Sequence, residues 1–275
     1  MATAAVIRPA TTAPRAVTRA TGESRLVRSI LIAIVFCLVG APAALAQRDP
    51  RAEKLVSGWI DAAGGPGIWD KVRDLRFTIT TVWYDSAGEV VRQRPRFVTI
   101  DKRRSPYRVR IERTEPEGRY VQVWNNIPRA SLDGRMLPDT ARAVREVEYV
   151  AGDLTYWIGL PWKLRDHGVH LSYAEEGGVP VVHVTFGAGI GLHDGDRYWY
   201  YWRDPGSAFP TEVHYIEQGK TERMLVMFGE RARINRVSVF TRRTIKNAQG
   251  LPLRALVISD VVVNRDVSES LFHLH

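Results

Sequence analysis

Leu75-Arg76-Phe77-Thr78-Ile79-Thr80-Thr81 is the stretch on which the fold turns. Apolar and polar residues alternate through it, the period of a strand with one buried face. Just upstream, Leu55, Val56, Trp59, Ile60 and Ala63 recur at helical spacing behind Asp49-Pro50. That pair is a capping residue followed by a proline suited to the first helical turn. Gly64-Gly65-Pro66 stops the helix, and a short turn over 68–72 carries Trp69. At Leu75 the apolar period therefore changes from helical to extended.

Outward from this stretch the extended period persists. Asp85-Ser86-Ala87-Gly88 reads as a turn. A strand follows over 90–100, with Pro95 marking an edge or a bulge. Tyr107, Val109 and Ile111 share one face of the next strand, and Pro116-Glu117-Gly118 turns into a fourth over 120–124. Four strands joined by short turns predict an antiparallel meander. Pro138-Asp139 then opens a predicted helix over 139–158, closed by Gly159 and Pro161, with Val144, Val147, Val150, Ala151, Leu154, Trp157 and Ile158 as its apolar stripe. Seven more extended runs follow, at 170–174, 181–186, 197–202, 211–216, 224–228, 237–246 and 253–263. The predicted fold class is α+β, mostly β: a curved antiparallel sheet of about eleven strands forming a half-barrel covered by helices.

A half-barrel with a helix in its mouth leaves room for an apolar cavity. The residues expected to line it are Phe77, Ile79, Phe97, Val109 and Ile111 on the strands, and Val147, Leu154 and Trp157 on the helix. A slip of one residue in strand register would exchange the faces of all of them.

Residues 1–46 carry the three parts of a secretory leader in order. Arg8, Arg15, Arg19, Arg25 and Arg28 stand against Glu23; an apolar core runs from Ile30 to Val39; Ala44-Leu45-Ala46 offers a small-residue cleavage site. Cleavage after Ala46 would leave one domain, 47–275, in the periplasm or secreted; an uncut leader would tether it to the membrane. Phe36 before Cys37 does not suit a lipobox, and Cys37 is the one cysteine of the chain, so the domain has no disulfide and no thiolate site.

The chain carries a net charge of +9, of which the leader's five arginines and one glutamate supply four. What remains is mildly basic, and no nucleic-acid partner is expected. Arg108, Arg110 and Arg113 lie along a predicted strand, as on a solvated sheet face. No Gly-x-Ser-x-Gly elbow is present. His167 with His170, and His183 with His193, Asp194 and Asp196, lack the close helical pairing that would anchor a metal, so neither a metal nor a cofactor is expected. Glu146 and Glu148 are two apart on a helix and do not face each other. The run Tyr198-Trp199-Tyr200-Tyr201-Trp202 puts aromatics on both faces of its strand, as core, as an apolar ligand wall or as a sugar-stacking platform.

Several short motifs recur in a known pattern. They are Gly64-Gly65 with Trp69; Tyr156-Trp157-Ile158-Gly159-Leu160-Pro161-Trp162-Lys163-Leu164; Asp196-Arg197-Tyr198-Trp199-Tyr200 leading to Trp202-Arg203-Asp204-Pro205; and Ile258-Ser259-Asp260-Val261-Val262-Val263-Asn264 before Leu271-Phe272. With the helix-then-strands order they resemble an uncharacterised group of exported bacterial proteins similar to the lipoprotein-localisation-factor (LolA-like) superfamily. The resemblance implies an N-terminal helix packed into an eleven-stranded half-barrel, and soluble carriers that hold lipid or the acyl chains of lipoproteins in its cavity. The function expected is a non-enzymatic extracytoplasmic binding protein, carrier or sensor, for an apolar ligand or lipoprotein, with contact to a membrane surface. The alternatives are an envelope module that binds protein or glycan through exposed aromatics, and a hydrolase of unrecognised type.

Overall fold

The computed structural model describes residues 49–187, 196–216 and 221–274. The expected leader and the pair His193-Asp194 lie outside the described residues. Helix α1 (Pro50–Ala62) precedes six strands: β1 (Asp74–Tyr84), β2 (Val90–Asp101), β3 (Arg108–Glu115), β4 (Gly118–Trp124), β5 (Pro128–Leu132) and β6 (Arg135–Met136). Helices α2 (Arg142–Arg145) and α3 (Val147–Ile158) follow. The second run of strands is β7 (Val169–Glu176), β8 (Val179–Phe186), β9 (Arg197–Tyr201), β10 (Glu212–Ile216), β11 (Met224–Phe228), β12 (Arg231–Ile234), β13 (Val237–Phe240), β14 (Arg242–Lys246) and β15 (Pro252–Val263).

Thirteen strands form one antiparallel sheet in the order β6-β5-β4-β3-β2-β1-β15-β14-β11-β10-β9-β8-β7. The sheet is curved and does not close, so the fold is an α+β half-barrel. The expected count of eleven strands is too low, for local reasons. Asp133-Gly134, both at positive φ, make a tight hairpin between β5 and β6. Asn235-Arg236, also at positive φ, do the same between β12 and β13, a separate two-stranded ribbon. The run 237–246 breaks at Thr241, whose N–H donates to the Glu230 carbonyl while its own carbonyl accepts from Ile258. The helix expected over 139–158 starts three residues late, because 138–141 form a turn, and it is interrupted at Glu146.

Since β6 and β7 are opposite edges of the sheet, the chain between them must cross from one side of the trough to the other. Helices α2 and α3 make that crossing, and α3 packs from β4 and β5 toward Tyr198, Tyr200 and Phe186. Helix α1 fills the other part of the trough. Asp49 caps it by accepting the Arg51 N–H at 2.9 Å. Trp59 sits at its centre, with ring centroids of Tyr200, Trp202, Phe228 and Phe240 between 5.7 and 6.3 Å away. Gly64 ends α1 at φ +131°, against the Arg236 carbonyl of the β12–β13 turn, where any side chain would collide.

The convex face carries a second, smaller core. Val121 and Val123 of β4 are covered by Val267 and Phe272 from the C-terminal segment. Asp74 anchors that segment by accepting the N–H groups of Arg265 and Asp266 at 2.9 and 3.1 Å. Arg108 and Arg110 are therefore not on a solvated face. Arg108 is 4% exposed, ion-paired with Asp101 and Glu269 and stacked on Phe272. Burial pushes the Asp101 carboxyl up, but the hydrogen bonds from Arg103 and Arg108 outweigh it and bring its pKa down to about 2. A carboxylate whose pKa is depressed on folding contributes stability above its unfolded value and loses it as pH falls through the folded one. Asp101→Asn is expected to cost about 2 kcal/mol at neutral pH and to flatten the loss of stability between roughly pH 4 and pH 2. Urea titrations at several pH values measure both; an unchanged acid limb would remove Asp101 from the account.

Candidate functional site

A cavity of about 500 Å³ lies between α3 and the concave face of the sheet. This is within the size of small-molecule sites, roughly 300–1,000 Å³. The helix contributes Tyr149, Val150, Asp153 and Trp157, one turn apart on the same side. The sheet contributes Ile79 and Thr81 of β1, Leu256 of β15, Ile245 of β14 and Val226 of β11. Tyr198 and Tyr215, their rings stacked with centroids 5.7 Å apart, and Trp83 complete the aromatic part of the lining.

Strand register explains a less expected part of the lining. Arg96 stands opposite Ile79, Arg94 opposite Thr81, Arg254 opposite Trp83, and Arg243 opposite Leu256. Each arginine thus shares the face of an inward-pointing residue, and all four line the cavity. Arg94 shares Glu115 with Arg92 and Arg113. Arg96 donates from Nη2 to Thr81 Oγ1 at 3.3 Å, and its Nε has no partner among the described residues. Arg243 is 4% exposed; its guanidinium lies 4.6 Å over the Trp157 ring, and its Nη1 has no partner among the described residues. Burial lowers the Arg96 pKa, and Arg113, Arg94 and Arg254 lower it further against the pull of Asp153. Burial brings Arg243 down to about 10, with Asp153 and Tyr200 opposing. Among the described residues the acids of the lining are Asp153, which accepts the Trp157 Nε1–H at 2.8 Å, and Asp196, which accepts the Tyr198 hydroxyl at 3.2 Å.

Of the residues expected to line a cavity, Ile79 and Trp157 do so. Phe77, Val109, Ile111, Val147 and Leu154 are buried elsewhere in the packed interior. Phe97 is not with them: it pairs with Thr78 on the convex face and is 42% exposed. The strand alternates, so Val98 and Arg96 point inward and Phe97 cannot. The arginines had a readable signal, since Arg92, Arg94 and Arg96 have the parity of Val98 and Ile100.

The aromatic run divides as alternation requires. Tyr198, Tyr200 and Trp202 are buried on the concave side, where Tyr156 and Tyr200 share a hydrogen bond of 2.8 Å between their hydroxyls, and Tyr201 is buried too, on the opposite face. On the convex side, Trp199 has the His183 ring stacked on it at 4.8 Å and the Arg223 guanidinium 4.6 Å away. Tyr201 donates its hydroxyl to Glu176 at 2.7 Å and accepts from Arg223. Among the described residues no group of three His, Asp or Glu is placed to hold a metal ion. No helix among them is long and apolar enough to cross a membrane.

No family model and no curated protein sequence matches the chain. Solved structures do match in fold. A DUF1329 family protein from Desulfovibrio piger superposes with a TM-score of 0.51 at 10% identity, covering 82% of this chain and 98% of that one. A LolA superfamily protein from Nitrosomonas europaea gives 0.50 at 10% identity, covering 81% and 97%. At such identity the likeness is one of architecture. The chain has the LolA-like half-barrel fold.

Proposed function

We propose that this chain is a non-enzymatic extracytoplasmic binding protein, carrier or sensor, for a ligand with an apolar body: a lipid, an acyl chain or an acylated lipoprotein. The observation that carries the reading is the cavity under α3, walled by Ile79, Val226, Ile245, Leu256 and Trp157. Leu256 and Trp157 stay only partly covered by protein there, over a floor formed by the buried Ile79, Val226 and Ile245. Export rests on the leader at 1–46 with cleavage after Ala46, which leaves the domain free to meet a membrane surface. The reading as a glycan or protein platform is weaker, because Trp199 and Tyr201 already engage His183, Arg223 and Glu176.

Leu256→Trp puts an indole into the space. A fluorescent fatty acid is expected to bind the unmodified protein and to bind this variant about tenfold more weakly or less, while the thermal midpoint stays within a few degrees. Equal affinity in the two proteins would place the bound chain somewhere else.

A further inference from the structure

We propose that the cavity under α3 selects amphiphiles with an anionic head group, a carboxylate or a phosphate, seated between Arg96 and Arg243. This rests on the reading of the cavity as a site for an apolar chain, and adds which chains it takes. Among the described residues four guanidinium groups line the space, those of Arg94, Arg96, Arg243 and Arg254, against the two carboxylates of Asp153 and Asp196. With Arg94 paired to Glu115, the described lining still carries more guanidinium than carboxylate, in a partly enclosed site.

Both carboxylates accept hydrogen bonds from cavity side chains, Asp153 from Trp157 and Asp196 from Tyr198. Asp153 forms no ion pair with Arg96 or Arg243 among the described residues, although its charge reaches both. A protein rarely buries a guanidinium with an N–H left unmet. Here Arg243 Nη1 and Arg96 Nε are both unmet, on strands that flank the same cavity. Arg243 is held by Trp157 on its face, which orders the group without using its donors. A fixed guanidinium with free edge donors is the geometry that takes a carboxylate or phosphate oxygen pair. Leu256 and Trp157, each with apolar surface left uncovered, line the same cavity as these arginines, so head and chain would share one space. A neutral hydroxyl head can accept one of these donors but brings neither charge nor a second oxygen, and a cationic head would add to the excess charge.

Isothermal titration of the full chain with decanoate, decyl phosphate, decanol and decyltrimethylammonium, with inorganic phosphate alone as a further arm, tests this. The expected order is decanoate and decyl phosphate about tenfold or more above decanol, with the cation weakest and inorganic phosphate far below decyl phosphate. Arg243→Gln and Arg96→Gln, each checked for an unchanged fold by circular dichroism, are expected to lower affinity for the anions and leave decanol unchanged. Decanol binding as tightly as decanoate would overturn the selectivity and leave the apolar-chain reading standing. Inorganic phosphate binding as tightly as decyl phosphate would make this a site for free anions and overturn the proposal. No binding of any chain compound would overturn the underlying reading as well.

Discussion

Replacing Arg243 by methionine is expected to make the protein more stable and worse at binding. The side chain is nearly fully buried and one of its Nη groups is unmet among the described residues. Leaving a buried donor unsatisfied costs about 1–3 kcal/mol, and more when the group is charged. Against this stands the guanidinium's attraction to the Trp157 ring, worth up to roughly 2 kcal/mol when desolvated. Methionine keeps contact with the indole through a thioether and removes the charge. The balance favours the variant by about 1–2 kcal/mol, in line with the gains seen when buried ionic groups give way to apolar ones. At this chain length that is a rise of several degrees in thermal midpoint. Calorimetry of the ligand-free protein reads it directly. A fall in midpoint would mean that the guanidinium is satisfied within the folded chain and does not wait for a ligand.

The second large effect belongs to Trp59. Its ring is 1% exposed and touches four aromatic side chains from β9, β11, β13 and the segment after β9. Trp59→Ala would leave a void that rigid neighbouring rings cannot collapse to fill. The expected loss is about 3–5 kcal/mol, the usual cost of deleting a buried aromatic. Denaturant melts should show a lowered midpoint with an unchanged slope. A loss below about 1 kcal/mol would show that α1 is not what fills the trough. Because native stabilities are commonly about 5–15 kcal/mol, the variant is expected to be marginal.

The architecture was legible because its signals are local and repeated. The alternation from Leu75 onward, the apolar stripe of Val147, Ala151, Leu154 and Ile158, and the cap at Asp49-Pro50 are all formed in the structure. The hairpins at Asp133-Gly134 and Asn235-Arg236 carried turn chemistry in plain sight, but the strands beside them are two to five residues long and too short to show a period. The site was harder. Phe97 reads as core by residue type, but alternation with the inward-facing Val98 turns it outward and turns Arg94 and Arg96 in. That step requires knowing that Val98 and Phe77 are register partners, which is a long-range fact. The same holds for Arg108, whose burial depends on the C-terminal segment folding back across β3 and β4. Charge alternation in a strand marks two faces, but only the tertiary structure says which one meets water.

Native mass spectrometry of the protein purified gently from the envelope fraction of cells that express the full chain tests the central claim most directly. The account predicts adducts of an amphiphile, about one per protein, released into organic solvent and missing from Leu256→Trp. Bare protein alone, together with no uptake of a fluorescent fatty acid, would contradict it.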